Sequence, residues 1–64
     1  MKIEIHYFRD GKFILTDYVS YGTSKRATIK AAKGLNNGFG LNRFYIPDYD
    51  VVYVIKNKRW VRQR

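Results

Sequence analysis

From Lys2 to Phe8 apolar and polar positions alternate, with Ile3, Ile5 and Tyr7 set against Lys2, Glu4 and His6. That is the period of a half-buried strand. Arg9-Asp10-Gly11 is a hairpin turn signal, and Lys12–Ser20 reads as the partner strand. Two registers fit. A two-residue loop at Asp10-Gly11 sets Glu4 opposite Asp17 and Ile5 opposite Thr16. A three-residue loop, with Gly11 in a left-handed bulge position, sets Ile5 opposite Leu15 and Tyr7 opposite Phe13. The second is preferred, because it keeps one face apolar and separates the acids. It places Met1, Ile3, Ile5, Tyr7, Phe13, Leu15, Val19 and Tyr21 toward the core. His6, Phe8, Ile14, Thr16 and Tyr18 then point the other way.

After Gly22 the period changes. Across Thr23–Leu35, the residues Ala27, Thr28, Ala31, Ala32 and Leu35 recur at helical spacing. Thr23 or Ser24 can cap the start through a hydroxyl that accepts an orphan N–H. The stripe is built of small residues and suits close packing on a sheet. Lys25, Arg26, Lys30 and Lys33 occupy the remaining side, with no acid inside the helix to pair with them. Leu35–Asn42 is rich in turn residues and reads as a loop whose Phe39 and Leu41 tuck under the domain. Arg43–Ile46 reads as a short strand stopped by Pro47, which lacks a ladder donor. Tyr49–Lys56 is β-branched and aromatic, Asn57-Lys58 is a turn, and Arg59–Arg64 returns as the last strand.

The order predicts an α+β fold in one small domain, residues 1–64. It is an antiparallel sheet of two hairpins, about four to five strands, with one helix packed on one face, in the order ββα(β)ββ. One short helix covers only one face. The other carries aromatics interleaved with polar residues, and its cover is the 35–46 loop, a second copy of the chain, or a ligand.

Composition narrows the function. The chain of 64 residues has no cysteine, so disulfides and Cys-based zinc sites are excluded, and its thin core depends on six Tyr, four Phe and one Trp. No apolar run approaches the roughly 20 residues needed to span a bilayer, and the alternating, Glu4-bearing start is unlike a signal peptide. These features predict a soluble protein of the cytoplasm, or of the host cytoplasm if it is viral. The formal net charge is +8, a field that attracts polyanions. No acid lies between Tyr18 and Pro47, and none follows Asp50. The helix and the C-terminal tail are therefore the cationic parts.

Little here serves catalysis. His6 and Glu4 share a strand face and can form a hydrogen-bonded pair, but a general base also needs a nucleophile and a pocket. Asp48 and Asp50 flank Tyr49 after a proline, which reads as a turn rather than a cation site. Gly38-Phe39-Gly40 lacks the Gly-Lys-Ser/Thr ending of a phosphate loop. The expectation is a non-enzyme with no cofactor and no metal.

The chemistry that remains is cationic and aromatic. Lys25, Arg26, Lys30 and Lys33 of the helix, Arg43, and Lys56, Lys58, Arg59, Trp60, Arg62 and Arg64 of the tail form the candidate nucleic-acid-binding set. Pairing Ile55 with Trp60 and Tyr53 with Arg62 puts Tyr53, Trp60 and Arg62 on one face of the last hairpin. Several cations on one surface suit phosphates, and aromatic faces suit bases. The leading reading is a small basic protein that binds DNA or RNA. Arg43, Arg59, Arg62 and Gln63 are the residues best suited to bases. The alternative is a small inhibitor or adaptor, of the kind a phage encodes, docked on an acidic host protein or nucleoprotein surface through anchors such as Trp60 or Tyr53. Membrane binding is disfavoured, because the helix stripe is Ala and Thr rather than Leu, Phe or Trp.

Overall fold

A computed structural model describes residues 1–64. Its elements are β1 (Lys2–Arg9), β2 (Lys12–Ser20), α1 (Lys25–Lys33), β3 (Arg43–Ile46), β4 (Val51–Lys56) and β5 (Arg59–Arg62), with a 3₁₀ turn at Pro47–Tyr49. The strands form one antiparallel sheet in the order β2-β1-β3-β4-β5. The α+β architecture is as expected, and the short strand at Arg43–Ile46 makes the sheet five-stranded.

The first hairpin follows neither simple register. Asp10 and Gly11 both take positive φ, 51° and 81°, the conformation of a two-residue primed turn. Arg9 pairs with Lys12 and Phe8 with Phe13. The register then shifts, so that Tyr7 pairs with Leu15, Ile5 with Asp17 and Glu4 with Tyr18. The preferred three-residue loop is thus overturned. Asp-Gly favours the tight turn, and a bulge at Ile14 restores the apolar face that the tight turn would scramble. It also keeps Glu4 from facing Asp17. Phe13 consequently lies on the face of Phe8 and His6 rather than in the core. Ile14 instead packs against the core. Met1 and Tyr21, expected inside, are exposed.

The core lies between α1 and one sheet face and comprises Ile3, Ile5, Tyr7, Ala32, Leu41, Phe44, Ile46, Val51 and Tyr53. Ser24 is the cap, its Oγ accepting the Ala27 N–H at 3.1 Å. The helix buries Thr28 and Ala32 and half-buries Ile29, leaving Ala27 and Ala31 exposed, and it ends at Lys33, so that Leu35 is half-buried just beyond it. The expected stripe is therefore rotated about the helix axis. Ile29 has more apolar surface to remove from water than either alanine, and it sets the phase. The Tyr7 hydroxyl donates to the Ala32 carbonyl at 2.9 Å and fastens the end of the helix to β1.

The loop after α1 buries Leu41 but leaves Phe39 exposed. It is clipped to the end of the first hairpin by Arg9 Nη1 donating to the Phe39 carbonyl at 2.9 Å and Asn42 Nδ2 donating to Asp10 at 2.9 Å. The strand expected from Tyr49 begins at Val51, because Pro47 opens the 3₁₀ turn and Asp50 takes a left-handed φ of 51°. Tyr49 turns inward, and its hydroxyl donates to the Thr23 carbonyl at 3.3 Å. No helix is long and apolar enough to cross a membrane.

Candidate nucleic-acid interface

Rotation of α1 decides where its charges stand. Lys25, Ile29 and Lys33 form one row at four-residue spacing, and Arg26 and Lys30 form the next. The rows look over β4 rather than away from the sheet. Lys25, Arg26, Ile29, Lys30, Lys33 and Tyr53 line an open groove of about 540 Å³. The Lys33 ammonium stands 4.8 Å from the Tyr53 ring centroid, and that of Lys25 stands 6.0 Å from Tyr49. These contacts draw the amines toward the groove. Arg62 lies directly opposite Tyr53 in the β4–β5 ladder and so shares its face. The groove contains no acid, and none of these five cations makes a salt bridge.

The floor of this side is packed with aromatic rings. Phe44 and Tyr53 stack at 5.0 Å and 13°, and Trp60 packs on Phe44 at 4.9 Å. Trp60 and Ile55 are cross-strand partners, as are Arg62 and Tyr53, in the register expected from the Asn57-Lys58 turn. Trp60 is half-buried packing at the margin of the core.

Arg62 shares this side of the sheet without lining the groove, and the remaining basic candidates lie elsewhere. Arg43 pairs with Phe8 and Val54, and Lys56 with Arg59, all on the opposite sheet face. Side chains alternate along a strand, and Arg59 and Arg62 are an odd number of residues apart. Lys58 sits in the turn with φ 62°. Arg64 is bonded to Asp50 at 3.1 Å. The candidate set is thus divided: Lys25, Arg26, Lys30, Lys33, Trp60 and Arg62 on the helix side, and Arg43, Lys56 and Arg59 on the other.

That opposite face is uncovered. Phe13 and Tyr18 are each 53% exposed and Val61 is 40% exposed. At its centre, His6, Phe8, Phe13 and Tyr45 form a connected cluster of rings. A site set read from the charges omits all four. The signal is present in the sequence, since Phe8 and Tyr45 occupy the polar phase of their strands. His6 Nε2 and Glu4 Oε1 are 2.8 Å apart, as anticipated, and no other hydrogen bond engages the imidazole. No group of three or more His, Asp or Glu side chains is placed to hold a metal ion. Burial first, and the Asp17 carboxylate second, push the Tyr7 phenol well above its usual range. It stays neutral and able to donate.

Fold and groove together define a class: a small α+β domain with one helix on a five-stranded antiparallel sheet and a one-signed cationic side. No protein-family model, curated protein or solved structure matches the chain.

Proposed function

We propose that this protein binds nucleic acid, contacting phosphates through Lys25, Arg26, Lys30 and Lys33 of α1 together with Arg62 of β5, with no catalytic step. The observation that carries the reading is the convergence of Lys25, Arg26, Lys30 and Lys33 on one groove without an acid in its lining, with Arg62 on the same side of the sheet. A polyanion is the ligand that gains most from such a surface, because each neutralised phosphate releases condensed counterions. Phe44, Tyr53 and Trp60 support this side from beneath. The reading sets the protein in the cytoplasm.

The adaptor reading calls for protruding anchors at Tyr53 or Trp60. Tyr53 is 9% exposed and Trp60 is packed on Phe44, which favours nucleic acid over that arrangement. The test is binding of a labelled DNA duplex, DNA single strand and RNA hairpin across a salt series. Five phosphate contacts give a log–log salt slope of about 3.5 to 4.5 in magnitude. Combined Lys25→Gln, Arg26→Gln, Lys30→Gln and Lys33→Gln substitution is expected to lower that magnitude by about 3. An unchanged affinity and slope would refute the proposal.

A further inference from the structure

We infer that the uncovered face of the sheet is a base-stacking platform for single-stranded nucleic acid, an inference that rests on the nucleic-acid reading and names the polymer. The rings supply the first argument. Phe8 and Phe13 lie 5.9 Å apart, His6 and Phe13 6.0 Å, and His6 and Tyr45 6.2 Å, with interplanar angles of 73°, 78° and 76°. Every contact is edge-to-face. The helix-side pair Phe44 and Tyr53, by contrast, is already parallel and stacked. The rings of the open face therefore have no parallel partner within the protein. A base is a flat ring that supplies one, and stacking tolerates any base because each has a π-face.

Charge supplies the second argument. Arg43 stands beside Phe8 across the β1–β3 ladder, and the Lys56–Arg59 pair lies further along the β4–β5 hairpin on the same face. The acid of this face, Glu4, is bonded to His6, and the Asp50 carboxylate beside the Tyr45 hydroxyl is held by Arg64. The net field is cationic. An anionic backbone carrying aromatic bases complements both features at once.

Other occupants fit less well. A second copy of the chain would bring this cationic face against itself. The 35–46 loop is committed to the end of the first hairpin and to the core. A duplex hides its base faces within its own stack, so only unpaired bases can lie on the rings. Sheet platforms of this kind take about two or three bases.

The test compares the wild-type chain with the triple variant Phe8→Leu, Phe13→Leu, Tyr45→Leu, which keeps apolar bulk and removes the π-faces. Ligands are oligo(dT), oligo(U) and a DNA duplex of equal length, the first two reporting which sugar the face accepts. Circular dichroism establishes that the variant is folded. The wild type is expected to prefer the single strands, and the variant to lose about tenfold or more on them while holding the duplex within twofold. Aromatic NMR resonances of Phe8, Phe13 and Tyr45 in the wild type are expected to move on adding the single strand. That measurement stands even if the variant does not fold. Ring resonances that stay fixed, single-strand affinity unchanged in a folded variant, or a wild-type dimer in sedimentation that the variant dissociates, would each overturn the inference. Wild-type binding that depends on the helix cations alone removes this inference and leaves the proposed function intact. Absence of binding to any of the three polymers removes both.

Discussion

Tyr7 carries a prediction whose size follows from the structure. Its side chain is fully buried, and its hydroxyl donates to the Ala32 carbonyl at 2.9 Å. That carbonyl belongs to the last turn of α1, where the Gly34 N–H is spent on Lys30 and Ala31. Tyr7→Phe keeps the ring and its 5.9 Å contact with Phe44, so it removes one hydrogen bond and orphans one buried acceptor. Such a loss costs about 1–3 kcal/mol. For a domain of this size, each kcal/mol shifts Tm by about 4–8 °C, so Tm is expected to fall by about 4–24 °C. The phenol also imposes a pH dependence. Unfolded, it ionises near about 10. Folded, burial and the Asp17 carboxylate hold it neutral well above that. Its contribution is thus complete below about pH 10 and is lost as pH rises from there toward the folded value, at about 1.4 kcal/mol per unit. The phenyl ring of the Tyr7→Phe variant has no proton to lose. Urea unfolding of both proteins at pH 7, 9, 10 and 11, followed by circular dichroism, should show the wild type ahead at pH 7 and the two converging above pH 10. Equal stability at pH 7 together with parallel curves to pH 11 would refute the reasoning.

Other outcomes can be checked with similar means. Ser24→Ala removes the acceptor of the Ala27 N–H and is expected to cost about 0.5–2 kcal/mol in chemical unfolding. Gly11→Ala meets no atom within 4 Å but must hold φ at +81°. It is expected to lower stability by about 1–2 kcal/mol, with the loss read from the same transition. Phe44→Ala opens a cavity beneath Tyr53 and Trp60 at a cost of about 3–5 kcal/mol, enough to shift the emission of the single tryptophan toward that of solvent-exposed indole. The two arginines of β5 should separate by polymer. Arg62→Gln weakens duplex and single strand alike, whereas Arg59→Gln weakens the single strand alone, both measured by fluorescence anisotropy.

Much of this architecture is visible in the residues themselves. Period-two alternation in Lys2–Phe8, the β-branched run before Lys56 and the turn at Asn57-Lys58 lead to the right strands, and in the second hairpin to the right partners. The first hairpin resists the same logic because Phe13, Ile14 and Leu15 are three consecutive apolar residues. Alternation cannot mark which of them is the extra residue of a bulge. The helix phase escapes for a related reason. Counting positions favours the alanines, whereas burial is weighted by area, and Ile29 outweighs them. The cations are legible as a set but not as two surfaces. Composition reports charge along the chain, and the pleat then assigns each residue a side.

That assignment changes what the tail contributes. Arg59, Trp60, Val61 and Arg62 are contiguous, yet Trp60 and Arg62 meet the core side while Arg59 and Val61 face the open side. One short edge strand therefore supplies cations to both faces of a sheet a single residue thick. The groove beside α1 can serve any polyanion, since nothing in it distinguishes a paired from an unpaired base. On the inference drawn for the open face, its rings supply that distinction, because only bases free of their own stack can lie on them. Neutralising the helix tests whether phosphates are bound at all, and removing the ring faces tests which polymer carries them. The sheet separates the two sets of side chains, so each perturbation leaves the other surface in place. A common loss in both variants would then indicate one strand engaging both faces across the β5 edge.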